Sequence, residues 1–172
     1  VATGFSNKVI GQTGEFAVCA QLGKLGLVAT PFAGNLPHFD VIVTNEHLKS
    51  VPIQVKATFG NDTWMAGDAR EWMNIDLCSE SGRQTITGLR EISHPELITV
   101  YIWLSKKAGG ADRFFVLRKD QVQMAAHNGY SGWLDKHGGI RPKKQDSYHL
   151  TIAMSDLLEF ENNWKIVLDA LA

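Results

Sequence analysis

The chain has 172 residues, 44% of them hydrophobic and 20% charged, with a formal net charge of −1. That composition excludes a disordered chain, and no apolar run reaches the roughly 18 residues that span a bilayer. Near-neutrality excludes a bulk polycation that coats nucleic acid, although residues 99–150 alone carry nine basic and four acidic side chains. The length fits one domain over 1–172 with a real core. Two cysteines, Cys19 and Cys78, make no disulfide framework, so a reducing, cytoplasmic compartment is expected. Residues 1–10 lack a basic stretch followed by an apolar run, so no signal peptide is expected.

In chain order, 6–25 reads as a helix that Ser6 caps and that Gly23 and Gly26 end. Its apolar residues, Val9, Ile10, Phe16, Ala17, Ala20 and Leu22, fall on several sides, which predicts a well-buried helix. Residues 28–33 contain a proline and read as an edge strand, followed by a turn at 34–37. Residues 39–45 and 51–58 are rich in Val and Ile and close as a hairpin. A strand is expected at 72–78, and 85–92 is either a strand or a short helix. Residues 97–105 (LITVYIWLS) form the strongest strand, and 113–117 is its hairpin partner. A helix capped by Asp120 covers 120–128, a loop 129–145, and a short strand 148–153. The last helix, over 162–171, has Trp164, Val167, Leu168 and Leu171 on its core stripe. This order predicts an α/β (α+β) chain with a central mixed sheet flanked by helices.

The hairpin brings chemistry together. Pairing Asn45 with Val51 sets Asp40 opposite Lys56 and Ile42 opposite Gln54. A slip of two residues leaves the faces unchanged, whereas a slip of one destroys them. Asp40, Gln54 and Lys56 then share one face, with His38 next in line. Phe39, Val41, Val43, Ile53, Val55 and Ala57 form the opposite, apolar one. A carboxylate, an amide oxygen and a lysine at a strand end suit phosphoryl chemistry. Hard oxygen ligands hold Mg²⁺, the ion polarises phosphate, and a lysine orients water or stabilises developing negative charge.

The order Gly14-Glu15, then Phe39-Asp40, then Gln54-Val55-Lys56-Ala57-Thr58 resembles the PD-(D/E)XK nuclease superfamily. It looks closest to restriction-type endonucleases and Holliday-junction resolvases, in a QxK variant. The resemblance implies a restriction endonuclease-like core of helix, three strands, helix and strand. The motifs that carry it fall within about 6–60, a family-like core would reach about 118, and 119–172 would be an extension. It further implies Mg²⁺ (or Mn²⁺) held by Glu15, Asp40, Gln54 and the Val55 backbone carbonyl, with Lys56 assisting the attacking water. The implied activity is hydrolysis of phosphodiester bonds, with DNA as the partner, no membrane, and a homodimer by analogy. Two departures mark the chain: His38-Phe39 separates Pro37 from Asp40, and an amide, Gln54, stands at the second carboxylate position. The second departure motivates the alternative, a catalytically inactive nuclease-fold module that binds nucleic acid or a protein.

Each candidate also has a structural reading. Glu15 would be a paired acid on a buried helix, Asp40 a strand-start residue binding a turn, and Gln54 an edge-strand amide. His38 and Thr58 read first as an ordinary surface histidine and a strand former. Cys19, four residues beyond Glu15, reads as a core thiol. Lys106 and Lys107 in a hairpin turn, and Arg141, Lys143 and Lys144 near Tyr130 and Trp133, are either solvated cations or a nucleic-acid surface. His127, His137 and His149 lack zinc-ligand spacing.

Overall fold

The computed structural model describes residues 4–32 and 38–172. The first helix, α1 (Gly4–Lys24), begins ahead of Ser6. It stops in a Schellman turn: the Leu27 N–H donates to the Leu22 carbonyl at 3.2 Å, and the Gly26 N–H to Gly23 at 3.1 Å. Gly26 lies at φ +80, where a Cβ is unfavourable. Gly14, Val18 and Leu22, four residues apart, line the buried side. Burial on every side is not what forms: Val9 and Phe16 are 44% and 55% exposed, because the helix lies on one face of a sheet.

The strands follow as β1 (Val28–Pro31), β2 (Val41–Thr44), β3 (Ser50–Phe59), β4 (Thr63–Asp68), β5 (Met73–Leu77), β6 (Gln84–Leu89), β7 (Ile98–Leu104) and β8 (Arg113–Arg118). Helix α2 (Lys119–Lys136), strand β9 (His149–Ala153), a 3₁₀ segment (Met154–Phe160) and helix α3 (Lys165–Leu171) complete the chain. The turn expected at 34–37, with Pro37, lies outside the described residues.

Five strands form a mixed sheet in the order β1-β2-β3-β7-β8, with β1 on its edge as expected. Every neighbouring pair is antiparallel except β3 and β7, which are parallel. A parallel pair demands a crossover. Here the crossover holds β4, a 3₁₀ turn (Ala69–Glu71) and the antiparallel β5–β6 hairpin. The ambiguous stretch at 85–92 therefore resolves as a strand. β4 was not expected. It is held by β9, which pairs Trp64 with Ile152, and a strand that depends on a distant partner leaves a weak local signal.

Alternation sends side chains to two cores. Val41, Val43, Ile53, Val55, Val100, Ile102 and Val116 pack under α1 and α3, with Val18, Leu22, Val167 and Leu171. Tyr101, Phe115 and Leu117 point the other way, into a core shared with Trp64, Leu150, Ile152 and α2.

Helix α2 runs to Lys136, through the segment read as a loop. Val122, Ala126, Tyr130 and Leu134 recur every four residues and are all buried. That burial outweighs the cost of about 1 kcal/mol for each of Gly129 and Gly132. Asp120 is not the cap, since the helix starts at Lys119. Instead the Gln121 side chain accepts from the Arg118 backbone N–H at 2.9 Å, and Asp120 Oδ1 from the Gln121 N–H at 2.8 Å. α3 begins later than expected, after Asn162 at φ +55. Trp164, Val167 and Leu171 are buried, while Leu168 stays 43% exposed at the margin of the stripe. No helix among the described residues is long and apolar enough to cross a membrane.

Candidate active site

The β2–β3 hairpin closes two residues away from the simplest register. Val41 pairs with Ile53 and Thr44 with Ser50. The cause lies in the turn. The Asn45 side chain accepts from the His47 and Lys49 backbone N–H groups, both at 3.0 Å, and the Asn45 N–H donates to the Lys49 carbonyl at 3.0 Å. This loop is tighter than an Asn45–Val51 closure, which would leave two more residues in the turn. The slip is even, so the faces stand as read, but the partners change. The register ends at Val41–Ile53, and Asp40, just beyond it, is held against Ile53 and Val55 and not opposite Lys56.

β2 starts at Val41, whereas β3 continues to Phe59, so β3 projects past the hairpin. Asp40 sits in the notch this leaves. Its N–H donates to the Ile53 carbonyl at 2.9 Å, and its carbonyl accepts from the Phe32 N–H at 2.9 Å. Its side chain then takes the place of a strand partner: Oδ2 accepts from the Val55 N–H at 2.7 Å. The N–H and C=O of one strand residue point to the same edge, so the Val55 carbonyl faces this notch as well.

Glu15 reaches the same place from α1. At the adjacent Gly14, a Cβ would lie 2.6 Å from the Ala57 methyl and 3.1 Å from Ile102 Cγ2. Only glycine lets α1 approach β3 so closely, and that approach sets Glu15 beside Asp40. Burial first, and then the Asp40 carboxylate, push the Glu15 carboxyl above its ordinary value. Cys19, half-buried a turn later, has its thiol pushed up by burial and by Glu15, as befits a packed thiol.

Gln54 is half-buried and Lys56 exposed. The parallel pairing sets Gln54, Lys56 and Thr58 beside Thr99, Tyr101 and Trp103 of β7, on one face. The sequence reading passed over this second row, because 97–105 reads as uniformly apolar. Its signal was the alternate positions 99, 101 and 103, each carrying a polar atom. Thr58 and Thr99 are buried, and burial raises the Tyr101 hydroxyl far above its usual range. The Thr99 hydroxyl and the Trp103 indole N–H are buried with no hydrogen-bond partner among the described residues.

His38 is exposed, and its ring lies 5.3 Å from that of His94. Both border a largely apolar cavity of about 580 Å³ with Phe39, Pro52, Leu97 and Ile98. The basic residues separate into two groups. The Lys106 stem lies across Gly60, just beyond the end of β3, which places it at the Lys56 end of the sheet beside Lys107 in the β7–β8 turn. Arg141, Lys143 and Lys144 belong to the α2–β9 connection. Arg141 Nη1 donates to the Tyr130 hydroxyl and the His149 carbonyl, both at 3.2 Å, and the guanidinium lies 4.8 Å from the Trp133 ring. The aromatic neighbours expected from sequence are therefore beside it, but as a tether for the loop. Lys143 and Lys144 are exposed and line an open groove with Cys78, Gly82 and Asp146.

The notch has the Glu15 and Asp40 carboxylates and the Val55 carbonyl beside it, and the Gln54 amide is the next oxygen along β3. All are hard oxygens, which suit Mg²⁺ or Mn²⁺ and not a thiophilic ion. Glu15 is disfavoured as an anion first by its burial and then by the Asp40 carboxylate, and a cation would relieve both. No group of three or more His, Cys, Asp and Glu placed to hold a metal ion is found among the described residues, at the notch or elsewhere. Comparison with family models, curated sequences and solved structures gave no match.

Proposed function

We propose that the chain is a metal-dependent nuclease that hydrolyses phosphodiester bonds, with DNA as its substrate. The observation that carries this reading is the notch itself. Two repelling carboxylates, Glu15 and Asp40, meet where β3 outruns β2, beside Gln54 and below an exposed lysine. The strand order also supports it. A helix, then β1-β2-β3 as an antiparallel meander, then β7 parallel to β3, agrees with the restriction endonuclease-like core that the motif order implies. The chain departs from that core in its crossover, which is a hairpin layer and not a helix.

Glu15, Asp40, Gln54 and the Val55 carbonyl would hold Mg²⁺ or Mn²⁺. Bound there, the ion supplies positive charge to the phosphate oxygens and lowers the pKa of water. The protein's own groups do the rest. The Val55 N–H fixes the Asp40 carboxylate, so one oxygen stays directed at the notch. Lys56 orients the attacking water and balances negative charge as the phosphorus becomes five-coordinate. Lys106 and Lys107, at the same end of the sheet, contact the flanking backbone phosphates.

The test is cleavage of labelled duplex and single-stranded DNA in Mg²⁺ or Mn²⁺, with the chelated protein as control. Cleavage is expected only with metal. Asp40→Ala and Lys56→Ala should each lower the rate by about 10²–10³-fold or more with the fold retained; Asp40→Ala should also lower the thermal midpoint, because it leaves the Val55 N–H without its acceptor. Full activity in either variant removes the assignment. Gln54 favours one other reading, a module of the same architecture that binds nucleic acid or a protein without cutting. Intact DNA binding with no Mn²⁺ binding at millimolar concentration would establish that reading instead.

A further inference from the structure

We infer that Thr99 is a positioning residue for Gln54, fixing which end of the amide faces Asp40. The inference rests on the cation reading of the notch. Register places the two side by side: in the parallel β3–β7 pair, Gln54 lies beside Thr99 on one face. Side chains so paired have Cβ atoms about 5 Å apart, within the reach of a glutamine amide. Thr99 is only 2% exposed, and its hydroxyl has no hydrogen-bond partner among the described residues. Its other lateral neighbour is Leu117 of β8, which offers nothing polar. A buried hydroxyl is ordinarily paired, and an orphan calls for a cause. Gln54 supplies one.

The reason lies in what an amide is and a carboxylate is not. A carboxylate presents the same oxygen at either end. An amide presents an oxygen at one end and an NH₂ at the other. With the oxygen toward Asp40, the notch is an all-oxygen cation site. With the NH₂ toward Asp40, the amide donates to that carboxylate and the site closes to cations. The two side chains are not bonded in this structure; a rotation of the Gln54 side chain that brings Nε2 to Thr99 Oγ1 would hold the first arrangement. Thr99 thus makes an amide serviceable where a carboxylate is self-sufficient.

The experiment follows the Gln54 side-chain NH₂ by ¹⁵N NMR, assigned by its loss in Gln54→Glu, in the wild-type chain, Thr99→Val and Thr99→Ser. Each is also titrated with Mn²⁺. The expected result is slow NH₂ exchange in the wild type and in Thr99→Ser, and exchange at the free-amide rate in Thr99→Val. Mn²⁺ affinity should fall by about 10–100-fold in Thr99→Val. In a Gln54→Glu background the same substitution should change Mn²⁺ affinity little, because a carboxylate has no wrong end. That contrast separates orientation from packing, which a valine alters in both backgrounds. Identical NH₂ exchange in the wild type and Thr99→Val overturns the inference. Protected NH₂ groups without any Mn²⁺ binding would keep the Thr99–Gln54 pairing and overturn the cation reading.

Discussion

The two faces of the central sheet are built differently. Under α1 and α3 the core is largely aliphatic, with Val18, Leu22, Val41, Val43, Ile53 and Val100 fully enclosed. The opposite face is aromatic and polar. Trp64 meets Tyr101 and Phe115 edge-on at 5.5 and 5.8 Å, and the Trp64 indole N–H donates to the Ile102 carbonyl at 3.2 Å. Buried Gln84 in that layer accepts from the Tyr130 hydroxyl at 2.6 Å and donates to the Gln145 and Ser147 carbonyls at 2.6 and 3.0 Å. The first face rests on close approach of a helix. The second rests on aromatic rings and satisfied hydrogen bonds from segments far apart in sequence. The candidate site lies at the margin between them: α1 delivers Glu15 from one side, and the β3–β7 row supplies Gln54 and Lys56 from the other.

Substitutions on each side sharpen this contrast. The largest effect is expected at Phe115, fully buried under Trp64. Phe115→Ala should cost about 3–5 kcal/mol, read as a fall in the denaturant midpoint, since the ring anchors the aromatic layer to the sheet. A smaller loss is expected at Gly14. The added methyl in Gly14→Ala overlaps Ala57 and Ile102, which should cost about 1–3 kcal/mol. Because it pushes α1 off β3, it should also weaken Mn²⁺ binding by displacing Glu15, whereas Phe115→Ala should act on stability first.

The smallest effect is expected at Glu15, and its sign is opposite. Its carboxyl is raised above 4.5 in the folded chain, so the folded state holds that proton more firmly than the unfolded one. The stabilisation is complete below the unfolded value and is lost as pH rises through the folded pKa. At pH 7 the ionised group is a liability. Glu15→Gln should therefore raise stability by up to about 1 kcal/mol, which is about 2–4 °C in Tm for a chain of this size. The gain should vanish as the pH falls toward about 4. A thermal scan at both pH values checks it. Equal gains at both would mean that the charge on Glu15, disfavoured first by burial and then by Asp40, is not the cause.

Legibility followed the range of the interactions. The α1 stop, the β2–β3 hairpin and its two faces were readable, because Gly26, the Val/Ile runs and an even register are local features. The register itself was missed by two residues, since Asn45 organises its loop with a side chain and not through a two-residue turn. β4 and the second half of α2 were missed for a different reason. Trp64 and Tyr130 acquire their roles from β9, Gln84 and the far side of the layer. Their own neighbours, Gly67 and Gly129, signal turns.

By itself, the sequence determined which face of the hairpin Gln54 and Lys56 share, because side-chain alternation in a strand is a property of the backbone. Only the tertiary structure decided that Glu15 reaches Asp40, since that depends on Gly14 meeting Ala57 across a helix–sheet contact. It alone also set Thr99 beside Gln54, because a parallel pairing joins residues that a whole crossover layer separates along the chain.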